Sequence, residues 1–252
     1  MKLTRALALF ALALSACAPA EAGGFPWKRP IVAAGGGGGG SPTNVQRFGS
    51  AGISTGGSTT ADYTIGSVSV GDLVVFLATQ TTAGVISGVT ENLGNTLNLR
   101  QTITDSTYGP FRVYDTIVTS AGTLTVTVTA SGNFSTVAVV GEQWNGTTFT
   151  YDTSSQNNAT NTGLGVQYTD QYAPSYTAGG NRLVLGCFGN TGVAANAAPT
   201  PDAGWSIANG SGAGSTTGLA CVDKLIGAST VQPHVAYASF SYAGGVTTAY
   251  SY

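Results

Sequence analysis

The stretch from Thr123 to Thr129 (TLTVTVT) alternates polar and apolar residues with a period of two. That period is typical of a β-strand with one face in a core and the other in solvent. Further short apolar or alternating stretches are bounded by Gly, Asn, Ser or Asp, and they lie at 73–79, 136–144, 182–188, 219–226 and 235–242. Several short strands separated by turn signals predict an all-β domain over 45–252, with a β-sandwich or jelly-roll architecture.

Two motifs recur a little over one hundred positions later in the chain. The matched pairs are VGDLVV at 70–75 with GGNRLVL at 179–185, and VYDTIV at 113–118 with CVDKLI at 221–226. The offset is 109 positions from Asp72 to Asn181, and 108 in the second match. Nearly equal offsets predict two related halves, near 60–146 and 165–252; chance similarity between glycine-rich strands is the alternative. Since either half alone would bury little apolar surface, we expect both to share one core.

The N-terminus has the layout of a secretory signal. Two cations precede an apolar run over 6–14, which is shorter than the roughly 20 residues that cross a bilayer. Small residues then lead to a cysteine in Leu14-Ser15-Ala16-Cys17. This tetrapeptide resembles the lipobox of bacterial lipoproteins, which implies that the signal peptide 1–16 is removed and that Cys17 is acylated. Ordinary cleavage after Ala20-Glu21-Ala22, which would release a secreted protein, is the alternative.

Residues 17–44 are predicted to form a flexible tether after the acylated cysteine. Six consecutive glycines at 35–40 cannot offset their ordering entropy by burying side chains. The lipobox resemblance implies a lipid bilayer as partner and an exported protein anchored at the outer membrane or cell surface. Ala18 directly after the cysteine points to the outer membrane, because lipoproteins kept in the inner membrane often carry Asp there.

Composition argues against several classes of function. Charged residues make up 8% of the chain and the formal net charge is −2, so no clustered basic face is available for nucleic acid. The single histidine, His234, lacks companion ligands at metal-binding spacing, and we expect it to be structural or surface-exposed. No GxSxG nucleophile elbow and no phosphate loop occur. The sequence therefore predicts a non-enzymatic protein without a cofactor or metal.

A series of short motifs spans residues 60–252. It comprises GDLVV at 71–75, VTENLGNTL at 89–97, YDTIV at 114–118, GTLTVTV at 122–128, VAVVGEQWNG at 137–146, NRLVL at 181–185, GWSI at 204–207 and CVDKLI at 221–226. The series is similar to a β-sandwich module that recurs in bacterial surface proteins and phage virion proteins. In that module the second motif reads DSxGNTY and the fifth ends in EYSG, so this chain departs from it at Glu91-Asn92 and at Gln143-Trp144-Asn145. The resemblance implies a fold and carries no catalytic residues.

Aromatic residues near turns are the candidates for recognition. Rings beside Asn, Thr and Gly can stack on sugars while hydroxyl and amide groups form hydrogen bonds. The candidate ligand-binding residues are Tyr108, Phe111, Tyr172, Tyr176 and Trp205. The alternative is that these rings cover the ends of the core.

Two cysteines remain once Cys17 is assigned to lipid. An even pair in an exported protein predicts a disulfide between Cys187 and Cys221, and two buried free thiols are the alternative.

Two acids interrupt apolar strand faces, Asp115 between Val113 and Ile117 and Asp223 between Cys221 and Leu225. The favoured interpretation is an acid at a strand end, solvated or held by backbone N–H groups. A glycosidase pair or a calcium site is the alternative. The cations considered as partners are Arg112, Arg182 and Lys224.

These features favour a surface-displayed lipoprotein whose β-sandwich binds glycans or surface proteins, as in adhesion, or acts as structural coat. A phage virion protein, such as a tail or decoration module, is the second hypothesis. A glycan-active enzyme is the third, and the missing catalytic constellation speaks against it.

We expect Cys17→Ser to abolish acylation and to move the protein from the membrane fraction to the soluble fraction. Fractionation with mass spectrometry of the mature N-terminus measures both effects. A wild-type protein that is already soluble and begins at Gly23 would show that the lipobox interpretation is wrong.

Overall fold

The computed structural model describes residues 40–50, 53–54, 59–80, 86–103, 111–130, 136–155, 157–159, 168–191, 199–209 and 217–252. Within these ranges the regular structure is β-strand apart from one turn of 3-10 helix at Thr153–Ser155. The prediction of an all-β fold is confirmed. The first strand begins at Thr43, two residues before the predicted start of the domain, and the predicted signal peptide with its lipidation site lies outside the described residues.

The strands up to residue 145 form two antiparallel sheets. Their bounds are β1 Thr43–Gly49, β2 Ile53–Ser54, β3 Thr60–Val68, β4 Leu73–Gln80, β5 Ile86–Glu91, β6 Asn98–Ile103, β7 Phe111–Ile117, β8 Gly122–Ala130 and β9 Thr136–Asn145. Inner sheet 1 has the strand order β1-β9-β4-β7-β6, with β2 also paired to β9, and outer sheet 1 has the order β3-β8-β5.

The later strands build a second set of sheets. Their bounds are β10 Thr150–Tyr151, β11 Asn157–Ala159, β12 Tyr168–Tyr172, β13 Tyr176–Thr177, β14 Arg182–Thr191, β15 Thr200–Pro201, β16 Ser206–Asn209, β17 Thr217–Ile226, β18 Thr230–Val231 and β19 His234–Ser251. Inner sheet 2 has the order β10-β19-β14-β17-β16, and β13 pairs with β18. The start of β19 lies between β12 and β15, whereas its last ten residues pair with β14.

Strand β4 in the middle of inner sheet 1 is buried on both faces, which explains why it is a continuous apolar run. Leu73, Val75 and Leu77 pack in the cluster shared with inner sheet 2. The alternate residues Val74 and Phe76 pack against outer sheet 1. Side chains that point in opposite directions along a strand all need to be apolar when both faces are covered. Face-to-face packing of the two inner sheets is the arrangement of a β-sandwich.

Outer sheet 1 is covered on one face only, and its sequence shows the difference. Leu124, Val126 and Val128 of β8 are buried in the core, and the threonines between them are partly exposed or exposed. The predicted half-buried strand over 123–129 is therefore confirmed.

The two inner sheets approach each other closely at Phe111 and Gly189. The ring of Phe111 in β7 lies against the backbone of Gly189 in β14, so that a Cβ atom on Gly189 would overlap the ring. Phe111 is 1% exposed. The expectation that Phe111 offers a ring face to a ligand is therefore wrong, because a strand of the other sheet covers it.

We predict that Gly189→Ala lowers the free energy of unfolding by about 1–3 kcal/mol, because the added methyl group overpacks a closed core. Urea unfolding of the full-length protein, followed by tryptophan fluorescence, measures the change. Gly227→Ala is the matched control, since a Cβ atom there meets nothing within 4 Å. Equal stability of the two variants would contradict the described packing.

Candidate functional site

The outer face formed by β12, the start of β19 and β15 presents an exposed aromatic ring. Tyr172 lies opposite His234 in the strand register, and their rings stack with centroids 4.2 Å apart. Both side chains point outward because the next residue, Val235, points into the core. Tyr172 is 48% exposed, and the imidazole covers one side of its ring. The exposed area of Tyr172 therefore belongs mainly to the opposite ring face.

Two carboxylates fix the histidine behind this ring. His234 Nδ1 lies 2.7 Å from Asp202 Oδ1, and Nε2 lies 3.3 Å from Asp170 Oδ1. The side chains of both aspartates are more than half exposed. A ring that carries both protons can donate to both acids. We call Tyr172, His234, Asp170 and Asp202 the Tyr172 face.

Trp205 adjoins the Tyr172 face through a tight turn. Its backbone N–H donates to the carbonyl oxygen of Asp202 at 3.1 Å, and Gly204 within the turn has a φ of +82°. Glycine adopts that conformation without steric cost. The indole is partly buried, and Lys224 Nζ lies 5.6 Å from its ring centroid, within cation–π range. One edge of Trp205 is therefore anchored in the core.

The other aromatic candidates do not join this surface. Tyr176 is 4% exposed and its hydroxyl donates to Asp152 Oδ2 at 2.7 Å, so its predicted exposure is also wrong. Ser154, together with Tyr176 and Arg182, donates to the Asp152 carboxylate and lowers its pKa below the usual range. Tyr108 lies outside the described residues.

A second polar group lies between the inner sheets, and its two acids are buried. Neighbouring strands of inner sheet 1 align Asn98, Asp115, Val75, Glu142 and Arg47 in one row. We call the four polar residues of this set the polar row. Its members share the face of the sheet that packs against inner sheet 2. Polar groups in such a place need partners within the protein.

Asp115 in the polar row is satisfied by three donors. Arg100 Nε donates to Oδ2 at 2.6 Å, the Tyr250 hydroxyl donates to the same oxygen at 2.7 Å, and Asn98 Nδ2 donates to Oδ1 at 3.0 Å. Burial, with the Asp115 charge beside it, raises the pKa of Tyr250 well above its usual range. Tyr250 therefore remains a donor across the sheet interface at neutral pH.

Asp223 reaches the other end of the polar row from inner sheet 2. Arg47 Nη2 and Nε both donate to Asp223 Oδ1, at 2.6 and 2.9 Å. The expectation of acids at solvated strand ends is thus wrong for both Asp115 and Asp223, because both are buried and paired with arginine. Their partners are Arg100 and Arg47 rather than the cations considered from the sequence.

Glu142 completes this end of the polar row and was missed as a candidate from the sequence. Trp144 Nε1 donates to its Oε2 at 2.9 Å. Burial, with the nearby carboxylate of Asp223, raises the pKa of Glu142 well above its usual range. An acid within the apolar stretch VAVVGEQW at 137–144 was the signal that could have identified it.

The polar motif at 91–95 makes a turn. Glu91 Oε2 accepts from the backbone N–H of Leu93 at 2.7 Å, and Asn95 Oδ1 accepts from the N–H groups of Thr119 and Ser120 at 2.8 and 2.9 Å. Gly94 between them has a φ of +80°. These side chains connect β5 to the turn after β7, which gives the motif a structural role.

No family model matches the chain, and neither the curated proteins nor the solved structures include a match to it. In the ranges that the structure describes, no helix has the length and apolar character to cross a membrane. Nor do three or more His, Cys, Asp or Glu side chains in those ranges converge on a possible metal position.

The structure joins Cys187 and Cys221 in a disulfide. They lie opposite each other on β14 and β17, with Cα atoms 4.1 Å apart. Both pack in the cluster between the inner sheets, so the bond is shielded from solvent.

We expect mass spectrometry of the purified protein, alkylated without reductant, to find Cys187 linked to Cys221. The bond closes a loop with a sequence separation of 34, which in the chain-entropy model stabilises by about 3–4 kcal/mol. Replacing both cysteines by alanine should lower the free energy of unfolding accordingly. Two thiols that alkylate in unreduced native protein would contradict the prediction.

Proposed function

We propose that this chain is a non-enzymatic surface module, exported and held by a lipid on Cys17, that binds glycans through the Tyr172 face. The observation that carries the proposal is the half-exposed ring of Tyr172, which stacks on His234, an imidazole that two aspartates hold in place. The resemblance to β-sandwich modules of bacterial surface proteins agrees with this role.

The chemistry of the Tyr172 face suits a sugar ring. The C–H groups on one face of a pyranose pack on an aromatic ring, while its hydroxyls donate hydrogen bonds to acceptors at the edge. The exposed carboxylates of Asp170 and Asp202, which bond to the imidazole beneath the tyrosine, supply such acceptors. Because stacking on His234 already fixes the ring, little conformational entropy is lost when a ligand binds.

The position of the Tyr172 face in the fold supports the same role. Its residues lie on paired strands or directly after one, and Asp202 leads into the turn that places Trp205. Side chains held by a rigid scaffold can vary with the ligand without disturbing the core. Trp205 would extend the apolar platform beyond Tyr172.

We also propose that the chain consists of two related halves joined face to face. In inner sheet 1, β9 lies between β1 and β4, and in inner sheet 2, β19 lies between β10 and β14. β7 and β17 follow in the two orders, and β6 and β16 end them. The equal order agrees with the offset of the sequence motifs.

Binding of the full-length protein, purified in detergent, to a glycan array tests the proposed function. We expect Kd values of about 1 mM to 1 μM, and Tyr172→Ala should weaken binding about tenfold or more, equivalent to roughly 1.4 kcal/mol. The matched control is Leu99→Ala, because Leu99 on β6 is 49% exposed and lies far along the chain from the Tyr172 face. That variant should bind as the wild type does.

Three results would count against this proposal. Binding that survives Tyr172→Ala while the unfolding midpoint falls would show that the ring is structural and that recognition occurs elsewhere. An array without bound glycans would favour the structural role expected of a virion module. Glycan turnover by the wild type that is lost in a folded Asp223→Asn variant would establish an enzyme.

A further inference from the structure

One oxygen of the buried Glu142 carboxyl group has donors and the other has none. The side chain is fully buried in β9, on the face toward inner sheet 2. Its Oε2 accepts from Trp144 Nε1 at 2.9 Å and from Asn44 Nδ2 at 3.4 Å. Its Oε1 has no hydrogen-bond donor among the described residues. An ionised carboxylate in the interior with one oxygen that accepts no hydrogen bond raises the free energy of the folded state.

The nearby arginine does not supply the missing donor. Arg47 Nε lies 3.9 Å from Glu142 Oε1, which is too far for a hydrogen bond. The same nitrogen donates to Asp223 Oδ1 at 2.9 Å, and Nη2 donates to that oxygen at 2.6 Å. Arg47 therefore compensates the charge of Asp223 first.

The remaining neighbour of Glu142 is another acid. Arg47 Nε lies 3.9 Å from Glu142 Oε1 and 2.9 Å from Asp223 Oδ1, so the two carboxyl groups are neighbours beside one nitrogen at the interface of the inner sheets. The charged groups that face Glu142 are Arg47 from β1 and Asp223 from β17, while β4 contributes Val75. Two neighbouring buried carboxylates cannot both be ionised without a large free-energy cost, so the pair retains one proton.

We propose that Glu142 keeps its proton at neutral pH and donates it from Oε1 to the carboxylate of Asp223, so that a proton joins the two inner sheets. We call this pair the carboxyl joint. When the joint loses its proton to solvent, two negative charges face one cation in a closed interface. The side chain of Arg47 beside the joint is partly exposed.

The joint makes the folded protein more stable at low pH, whereas an ordinary ion-paired acid makes it more stable at high pH. Burial, followed by the charge of Asp223, raises the pKa of Glu142 in the folded protein. The contribution of such a group is fully present below its unfolded pKa of about 4.3 and is lost as pH rises through the folded pKa. Alkaline conditions should therefore loosen the contact between the inner sheets.

Infrared spectroscopy and thermal unfolding of the full-length protein test the joint. In the wild type we expect a protonated-carboxyl C=O band at pH 7 that Glu142→Gln removes. The amide introduced by this substitution donates to Asp223 at every pH, so that variant should keep its unfolding midpoint between pH 6 and 9. The wild-type midpoint should fall by about 2–4 °C relative to it, the shift that follows from a loss on the order of 1 kcal/mol.

Two further variants keep the test decisive. Asp62→Asn, which changes an exposed acid bonded to Thr127, should retain both the band and the wild-type pH profile. In Asp223→Asn the band should disappear at a lower pH, because Glu142 no longer faces a second negative charge. Absence of the band from wild-type protein at pH 7 would overturn the proposal even if Glu142→Gln fails to fold. Parallel midpoint profiles of wild type and Glu142→Gln would overturn it as well.

Discussion

Covering the middle strands of inner sheet 1 on both faces is the constraint from which the remaining structure follows. These strands have no solvent side, so a polar side chain on them needs a partner inside the protein. The chain meets this condition mostly with apolar residues, as in β4. The exception is the polar row, whose charged members bond with one another or across the interface. A buried polar group in this row therefore fixes the alignment of two sheets rather than the position of one strand.

The polar row has two crossing points between the inner sheets. Tyr250 bonds to Asp115 at one of them, and Arg47 bonds to Asp223 at the other. Apolar surfaces can slide past one another at small cost, whereas a displaced buried ion pair leaves an unpaired charge. The two crossings thus select one relative placement of the sheets. The Tyr172 face lies on the outer side of inner sheet 2, away from both crossing points.

Local patterns predicted the strands well, because the period of the apolar residues depends only on which faces of a strand are covered. The alternation over 123–129 and the apolar run after Asp72 both became strands. Exposure of single rings was not predictable, because it depends on residues distant in the chain. Phe111 is covered by Gly189, and Tyr172 is backed by His234. Likewise, Arg112 was among the cations considered from the sequence as partners of the two acids, yet the neighbouring strand supplies Arg100 to Asp115.

The position of β19 has a consequence for how the chain reaches its folded state. This strand lies between β10 and β14, although it follows all other described strands in the chain. Until it arrives, β14 keeps an open hydrogen-bonding edge, and inner sheet 2 cannot close. Long-range strand pairing of this kind slows folding. The residues that the ribosome adds last are therefore the ones that lock inner sheet 2.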